Sequence, residues 1–192
     1  MSQHRNTAIP EERILDAAYK LVLAVGMRRV TMAELARSAD VSRATLYRRF
    51  PNVDAVVAAL TTRELAAISE AAFARPGKDT RSTVVSGIVA TVRAVRTHPL
   101  TRKIVDVDPE FLLPYLVRRR GASTDAQLDL LVSALRGGDG SIRRGSRTTQ
   151  ARALWLAAWS FALTAPVLAD DEAELKALDR ELRAMLDRYL MP

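Results

Sequence analysis

The sequence of 192 residues contains no cysteine and has only two histidines, His4 and His98. The absence of cysteine excludes disulfides, thiolate metal sites and cysteine nucleophiles, and two histidines leave almost nothing for a histidine metal cluster. We therefore expect neither a bound metal nor another cofactor.

Long hydrophobic segments are also scarce. The longest uncharged run, residues 153–169, spans 17 residues and includes two tryptophans and a proline. This length lies at the lower limit for a membrane-spanning helix, so we interpret the run as a buried helix. The first residues contain no apolar stretch of the length of a secretory signal. These features lead us to expect a cytoplasmic protein without a membrane partner.

Glycine and proline are few, with eight of each, and no stretch alternates apolar and polar residues for long enough to form a strand. The sequence therefore predicts an all-α fold. The first helix begins near Pro10 and ends at Gly26, and two short helices begin at Thr31 and Ser42. Later helices are predicted over about 52–73, 80–97, 109–120, 124–136, 149–169 and 171–190, with a short helical piece after Pro99.

The two short helices carry clear start signals. Thr31 and Glu34 have the spacing of a capping box, and Ser42 can accept hydrogen bonds from the free amides of the helix that follows it. Only residues 38–41 lie between the helices, and Asp40 is the residue of that turn best able to adopt a left-handed conformation. Two short helices joined by a tight turn and preceded by a packing helix predict a helix-turn-helix, whose second helix enters the DNA major groove.

The second short helix has a face suited to that groove. Leu46 and Phe50 lie four residues apart and define its buried side. The opposite side carries a small residue, a threonine and an arginine, with a tyrosine and a second arginine beside them: Ala44, Thr45, Arg48, Tyr47 and Arg49. A small residue permits close approach to the base pairs, and an arginine can reach guanine edges or phosphates.

The charge distribution agrees with a DNA partner. The formal net charge is +7, the sequence pI is about 10.3, and 25 of the 29 basic residues are arginine. Residues 27–50 contain six arginines against Glu34 and Asp40, a local balance of +4 in 24 residues. The alternative is a solvated, arginine-rich face without a partner. Together with the helix signals and the small outward residues, the charge favours contact with double-stranded DNA.

Residues 13–65 resemble the DNA-binding domain of the TetR family of transcriptional regulators. The motifs that carry the resemblance are ILDAA in the first helix, Gly26 at its end, T-x-x-x-L-A from Thr31, and VS-x-x-TLY-x-x-F from Val41. The sequence departs from the family pattern at Asp40, where a turn glycine is common, and at Val53, where relatives often have a lysine that touches the DNA backbone.

The resemblance implies a homodimer that binds a palindromic operator, most often as a repressor, and that a small molecule releases from DNA. It implies a helix-turn-helix domain over residues 1–60 and a larger helical domain for effector binding and dimerisation over residues 61–192. Arg43 and Arg48 would face bases or phosphates, and Thr31 and Tyr47 would face phosphates. The full set of DNA-binding candidates is Thr31, Ser42, Arg43, Ala44, Thr45, Tyr47, Arg48 and Arg49.

The last helix carries apolar residues at alternating intervals of three and four, the seam spacing of helices packed at a shallow angle. They are Leu175, Leu178, Leu182, Met185 and Tyr189. This seam predicts pairing of two subunits, and the alternative is packing within one chain. The resemblance favours pairing, because the last two helices of the family usually form a four-helix dimer interface.

Two tryptophans, Trp155 and Trp159, share one face of the preceding helix. Such a pair can line a ligand cavity or belong to a filled core, and the sequence leaves both open. The resemblance adds five further candidates for the lining of an effector pocket: His98, Phe111, Leu112, Tyr115 and Phe161. A large cavity would favour a small-molecule sensor. A filled core would favour a DNA-binding protein controlled by a protein partner or without any effector.

An enzyme is a remote alternative. The sequence has no glycine-rich phosphate loop, no nucleophile elbow and no cluster of metal ligands. Asp106, Asp108 and Glu110 alternate in a way that could suggest a cation site. We interpret them instead as an acidic loop that caps the helix at Pro109.

Overall fold

The computed structural model describes residues 9–118 and 120–192, so His4 and Arg119 lie outside the described residues. The described ranges contain helices and no strand, which confirms the all-α prediction. The α-helices are α1 (Ile9–Val25), α2 (Met32–Ser38), α3 (Arg43–Arg49), α4 (Val53–Phe73), α5 (Thr80–Thr97), α6 (Pro99–Val107), α7 (Leu113–Val117), α8 (Ala122–Ala134), α9 (Arg147–Leu163), α10 (Ala165–Leu168) and α11 (Glu172–Leu190). Two 3₁₀ turns cover Met27–Arg29 and Pro109–Phe111. No helix in the described ranges has both the length and the apolar character needed to cross a bilayer.

The chain forms two compact units. The first unit comprises residues up to 64 together with 99–123, and the second unit comprises 65–98 and 124–192. Helix α4 begins in the first unit and ends in the second. On α4 the first unit ends at residue 64, a few residues after the predicted domain boundary at residue 60. The segment 99–123 belongs to the first unit although it follows α5 in sequence.

The first unit is built around α1. Helix α1 packs against α2 and α6, and α2 packs against α3. The buried side of α1 carries Ile14, Ala18 and Val22. Other fully buried members of this core come from the short helices, the start of α4 and α6: Leu35, Leu46, Val56, Leu60, Leu100 and Ile104.

The second unit is built around α5, which packs against α9 and α11. Its core is rich in valine and leucine, including Val84, Ile88, Val92, Leu135, Leu154, Leu182 and Leu190. The start of α5 is held by Asp139, whose Oδ2 accepts hydrogen bonds from Thr80 N (2.6 Å) and Thr80 Oγ1 (2.7 Å). A bond from the Ser141 hydroxyl, together with those from Thr80, holds the pKa of Asp139 well below its usual range.

Proline divides two of the predicted helices. The helix predicted over 109–120 is a 3₁₀ turn followed by the five residues of α7, with Pro114 in the first turn of α7. The helix predicted over 149–169 ends at Leu163, and Pro166 lies in the first turn of α10. A proline lacks the amide that would continue the preceding helix, so a new helix begins at each of these positions.

The uncharged run 153–169 is only partly buried. Its residues Leu156, Val167 and Leu168 are exposed, whereas Leu154, Ala162 and Ala165 are buried. The expectation of a buried helix is therefore met only in part, because the run also carries apolar side chains that are exposed in the single chain.

Candidate functional site

Both short helices begin at the capping residues that the sequence predicts. Glu34 N donates to Thr31 Oγ1 (3.2 Å), and Thr31 N and Oγ1 donate to Glu34 Oε2 (3.1 and 2.8 Å). These bonds, first of all the one from the Thr31 hydroxyl, lower the pKa of Glu34. At α3, Thr45 N donates to Ser42 Oγ (3.0 Å). The predicted capping box at Thr31 and the predicted cap at Ser42 are confirmed.

The turn between α2 and α3 depends on Asp40. Its φ of 52° lies in the left-handed region, as predicted. Val41 N donates to Ala36 O (3.0 Å) across the turn, which satisfies a carbonyl at the end of α2. Arg13 Nη2 binds both Asp40 Oδ2 (2.8 Å) and Asp40 O (3.3 Å). An aspartate can therefore occupy a position that is often glycine in the family that the sequence resembles. Its side chain binds Arg13 and so connects the turn to α1.

Helix α3 presents the predicted face outward. Leu46 and Phe50 are buried in the core of the first unit. The other side is exposed at Arg43, Ala44, Tyr47, Arg48 and Arg49, as is the cap Ser42, while Thr45 is half-buried. Thr31, at the start of α2, is exposed as well. The structure thus brings the predicted DNA-binding residues together on the surface of one unit.

The three arginines of α3 have different surroundings. Arg49 forms an ion pair with Glu11 of α1. Arg43 and Arg48 are exposed, and neither guanidinium has an ion-pair partner among the residues the structure describes. Their donors are therefore available to an anionic or hydrogen-bonding partner, whereas Arg49 is already held against α1.

A buried carboxylate that sequence reasoning misassigned supports this unit. Asp108 makes no side-chain cap to its own 3₁₀ turn, which corrects the expectation that it caps the helix at Pro109. Its Oδ2 instead accepts a hydrogen bond from Met27 N (2.8 Å), and its Oδ1 lies 3.7 Å from Arg28 Nε. Arg28 also pairs with Glu110. Because the partners are 81 residues apart, no local sequence signal could have identified this contact.

Asp108→Ala is expected to destabilise the protein by about 1–3 kcal/mol, because it leaves the buried Met27 N–H without an acceptor. Asp108→Asn keeps an acceptor oxygen and should cost less. Urea unfolding measures both, with Asp106→Ala as the control because Asp106 is exposed two residues earlier. Equal unfolding midpoints for Asp108→Ala and Asp106→Ala would contradict this role.

The two tryptophans lie together in the second unit. Their ring centroids are 5.6 Å apart at an interplanar angle of 50°, and both indole N–H groups donate to Gln127 Oε1, at 2.8 Å from Trp155 and 3.2 Å from Trp159. Beside them is a cavity of about 40 Å³, and no charged side chain lines it among the described residues. Ligand pockets for drug-sized molecules measure about 300–1,000 Å³, so the space beside the tryptophans is smaller than a typical ligand pocket.

The other five predicted pocket residues are not among the described residues that line this cavity, and one of them, Phe161, packs against the core of the second unit. Phe111 and Leu112 are packed against the core of the first unit, and Tyr115 lies against Phe111 with ring centroids 5.5 Å apart. His98 is half-buried at the end of α5. These residues do not share the lining of this cavity with the tryptophans, and their part in effector binding stays a prediction.

Helix α11 divides the predicted dimer seam between two environments. Leu182 is fully buried in its own chain, in line with Leu186 and Leu190, so it has no surface to offer a partner. This corrects its assignment to the interface. Leu175, Leu178 and Tyr189 are half-buried, and the ring of Tyr189 is covered by Arg143, whose Cζ lies 4.4 Å from the ring centroid. Met185 is exposed.

Three further exposed apolar side chains, which the sequence did not predict, lie on α9 and α10: Leu156, Val167 and Leu168.

A metal centre has no support in the described ranges, where no group of three or more potential ligands converges.

Comparisons with known proteins agree with the helix-turn-helix. The family model described as bacterial regulatory proteins, tetR family, matches residues 14–60. An uncharacterised HTH-type transcriptional regulator of Mycobacterium bovis is 32% identical over 192 residues, which cover 99% of each chain. The transcriptional repressor QsdR of R. erythropolis has a TM-score of 0.73 at 21% identity, with 97% of this chain and 98% of that chain covered. FadR of Bacillus subtilis, solved in complex with stearoyl-CoA, has a TM-score of 0.61 at 16% identity, with coverages of 93% and 98%.

Proposed function

We propose, starting from the fact that this chain belongs to the TetR family of bacterial regulatory proteins, that it represses transcription by binding a palindromic operator as a homodimer. Membership makes the chain an HTH-type transcriptional regulator and not an enzyme. The observation that carries the proposal is the exposed face of α3, which has two arginines without ion-pair partners among the described residues. Acting on the chromosome, such a repressor works in the cytoplasm.

The roles of the individual residues follow from their places on this face. Ala44 and Thr45 lie in the first turn of α3, the part of a recognition helix that approaches the base edges. Arg48 lies one turn further on and can bind guanine O6 and N7. Arg43, at the start of α3, and the exposed Tyr47 are placed to contact phosphates on either side of the groove.

Dimerisation supplies the second recognition helix. The exposed apolar residues Leu156, Val167, Leu168 and Met185 all belong to the second unit. Burial of such residues against a second copy removes apolar surface from water, which is the main favourable contribution to association. We propose that α9, α10 and α11 form this contact, with Leu178 at its edge. The two copies of α3 must then lie roughly 34–36 Å apart to occupy successive major grooves.

We propose further that a small molecule releases this protein from DNA. The cavity beside Trp155 and Trp159 supports it, as does the stearoyl-CoA bound to the FadR of similar fold. The small volume of that cavity favours one alternative, in which the chain responds to a protein partner or to no effector. Selection of an operator, followed by a screen for compounds that release it, separates the two: an operator that no compound releases would favour the alternative.

Selection from a random pool of duplexes is expected to enrich a palindrome whose half-sites lie one or more helical turns apart. Arg48→Ala should weaken binding to that palindrome by about 1–3 kcal/mol and relax the base preference at one position of each half-site. Arg43→Ala should weaken binding to all duplexes more evenly. Electrophoretic shifts at fixed salt measure both effects.

Arg102→Ala is the matched control, because Arg102 is an exposed arginine of α6, outside both the helix-turn-helix and the proposed dimer contact. It should leave the base preference unchanged. Equal losses of Arg48→Ala on the palindrome and on random duplex would show that Arg48 contacts only phosphate. Failure to enrich any palindrome would contradict the dimer.

A further inference from the structure

Thr91, one of the residues that line the Trp155–Trp159 cavity, has a side-chain hydroxyl without a partner. Thr91 Oγ1 is buried and makes no hydrogen bond among the described residues. Other helical threonines of the same chain donate to the carbonyl one turn earlier: Thr61 to Val57 O (2.8 Å), Thr62 to Ala58 O (2.8 Å) and Thr97 to Arg93 O (3.1 Å). Thr91 does not. Buried hydroxyls without a partner are rare in native proteins, and each one requires an explanation.

The other groups around this hydroxyl define what could bind it. Among the described residues, the lining is apolar except for Thr91, Ser69 and Gln127. The Gln127 oxygen is already occupied by the two indole N–H groups. A charged ligand would lose its hydration and gain no counter-ion from this lining, which is strongly unfavourable. The Thr91 hydroxyl can donate one hydrogen bond to an uncharged acceptor.

Phe73 limits the size of the cavity. It is the last residue of α4, it lines the cavity, and its ring lies so close to Gly87 that a Cβ there would be 2.7 Å from the nearest ring atom. The existing volume of about 40 Å³ accommodates only a few waters at roughly 10–15 Å³ each. A larger molecule fits between the walls only if a wall residue moves. The Phe73 ring can move because Phe73 is half-buried and is the last residue of α4.

We propose that this cavity binds an uncharged, mainly apolar molecule with one hydrogen-bond acceptor, which accepts a hydrogen bond from Thr91 Oγ1 and displaces the Phe73 ring. An effect of this binding on release from DNA rests on the proposed function, because α4 leads from the helix-turn-helix unit to Phe73. The binding itself does not require DNA and can be measured without it.

Three ring compounds of similar size test the proposal on the full chain: cyclohexanone, methylcyclohexane and cyclohexanecarboxylate. Both tryptophans of the sequence lie at the cavity, so their fluorescence reports binding there. Cyclohexanone and methylcyclohexane are both expected to bind, and the carboxylate should not bind. Thr91→Val keeps the side-chain shape and should weaken cyclohexanone about tenfold while leaving methylcyclohexane unchanged. Phe73→Leu should tighten the binding of both uncharged compounds.

Thr62→Val is the matched control, because the Thr62 hydroxyl has a backbone partner and lies outside the described lining. It should leave all three affinities unchanged. Binding of cyclohexanone that Thr91→Val does not alter, preference for the carboxylate, or no binding to either the parent or Phe73→Leu would each overturn the proposal. If the parent protein bound no operator, only the proposed function would be overturned, because the fluorescence titration contains no DNA.

Discussion

Replacing Leu156 by aspartate is expected to give a folded monomer whose operator affinity is at least about a hundredfold lower than that of the parent. Leu156 lies on α9 and is 63% exposed in the single chain. In the proposed dimer it is covered by apolar surface, where an unpaired carboxylate is strongly unfavourable. A monomer carries a single recognition helix, and loss of simultaneous binding at two half-sites commonly costs about 10²–10⁴ in affinity.

Leu113→Asp provides the matched control. Leu113 is 55% exposed, but it belongs to α7 in the first unit, outside the proposed contact. Sedimentation velocity should show a dimer for the parent and for Leu113→Asp and a monomer for Leu156→Asp. Far-ultraviolet circular dichroism should be the same for all three. If Leu156→Asp stays dimeric and keeps its operator affinity, the interface lies on another surface of the chain.

The helix-turn-helix could be predicted because its signals are local. The bond between Thr31 and Glu34 and the cap from Ser42 to Thr45 each span three residues, and the left-handed turn is set by Asp40 itself. Each signal therefore lies in the same short stretch of sequence as the structure it produces. The exposed face of α3 follows from the position of Leu46 and the helical repeat.

The packing of the second unit could not be predicted in the same way. Helical spacing shows which residues share a face but not which neighbour covers that face. The predicted seam of α11 includes both Leu182 and Met185, yet Leu182 is buried with Leu186 and Leu190 while Met185 is exposed. The buried line follows a spacing of four residues, set by α5 and α9, which pack against α11. Only tertiary structure supplies that information, as it does for the contact of Asp108 with Met27.

A buried ion-pair network at α11 leads to the second large expected effect, a loss of stability of about 3–5 kcal/mol in Asp179→Ala. Asp179 is buried, and its carboxylate accepts hydrogen bonds from Arg93 Nε (2.8 Å) and Arg96 Nη2 (3.0 Å) of α5. Arg96 Nη2 also donates to Phe161 O of α9 (3.1 Å). The Arg96 side chain is only 9% exposed, so removal of Asp179 leaves a buried guanidinium without its counter-ion.

Comparison with Arg93→Ala shows how much of the loss of stability comes from leaving a buried charge unpaired. The Arg93 side chain is 54% exposed, and loss of such a partly solvated pair should cost no more than about 1 kcal/mol. The double change of Asp179→Leu with Arg96→Met should recover most of the loss, because it removes both buried charges and their desolvation penalty. Urea unfolding followed by circular dichroism gives the three free energies. If Asp179→Ala is no less stable than Arg93→Ala, the network does not hold α11 against α5.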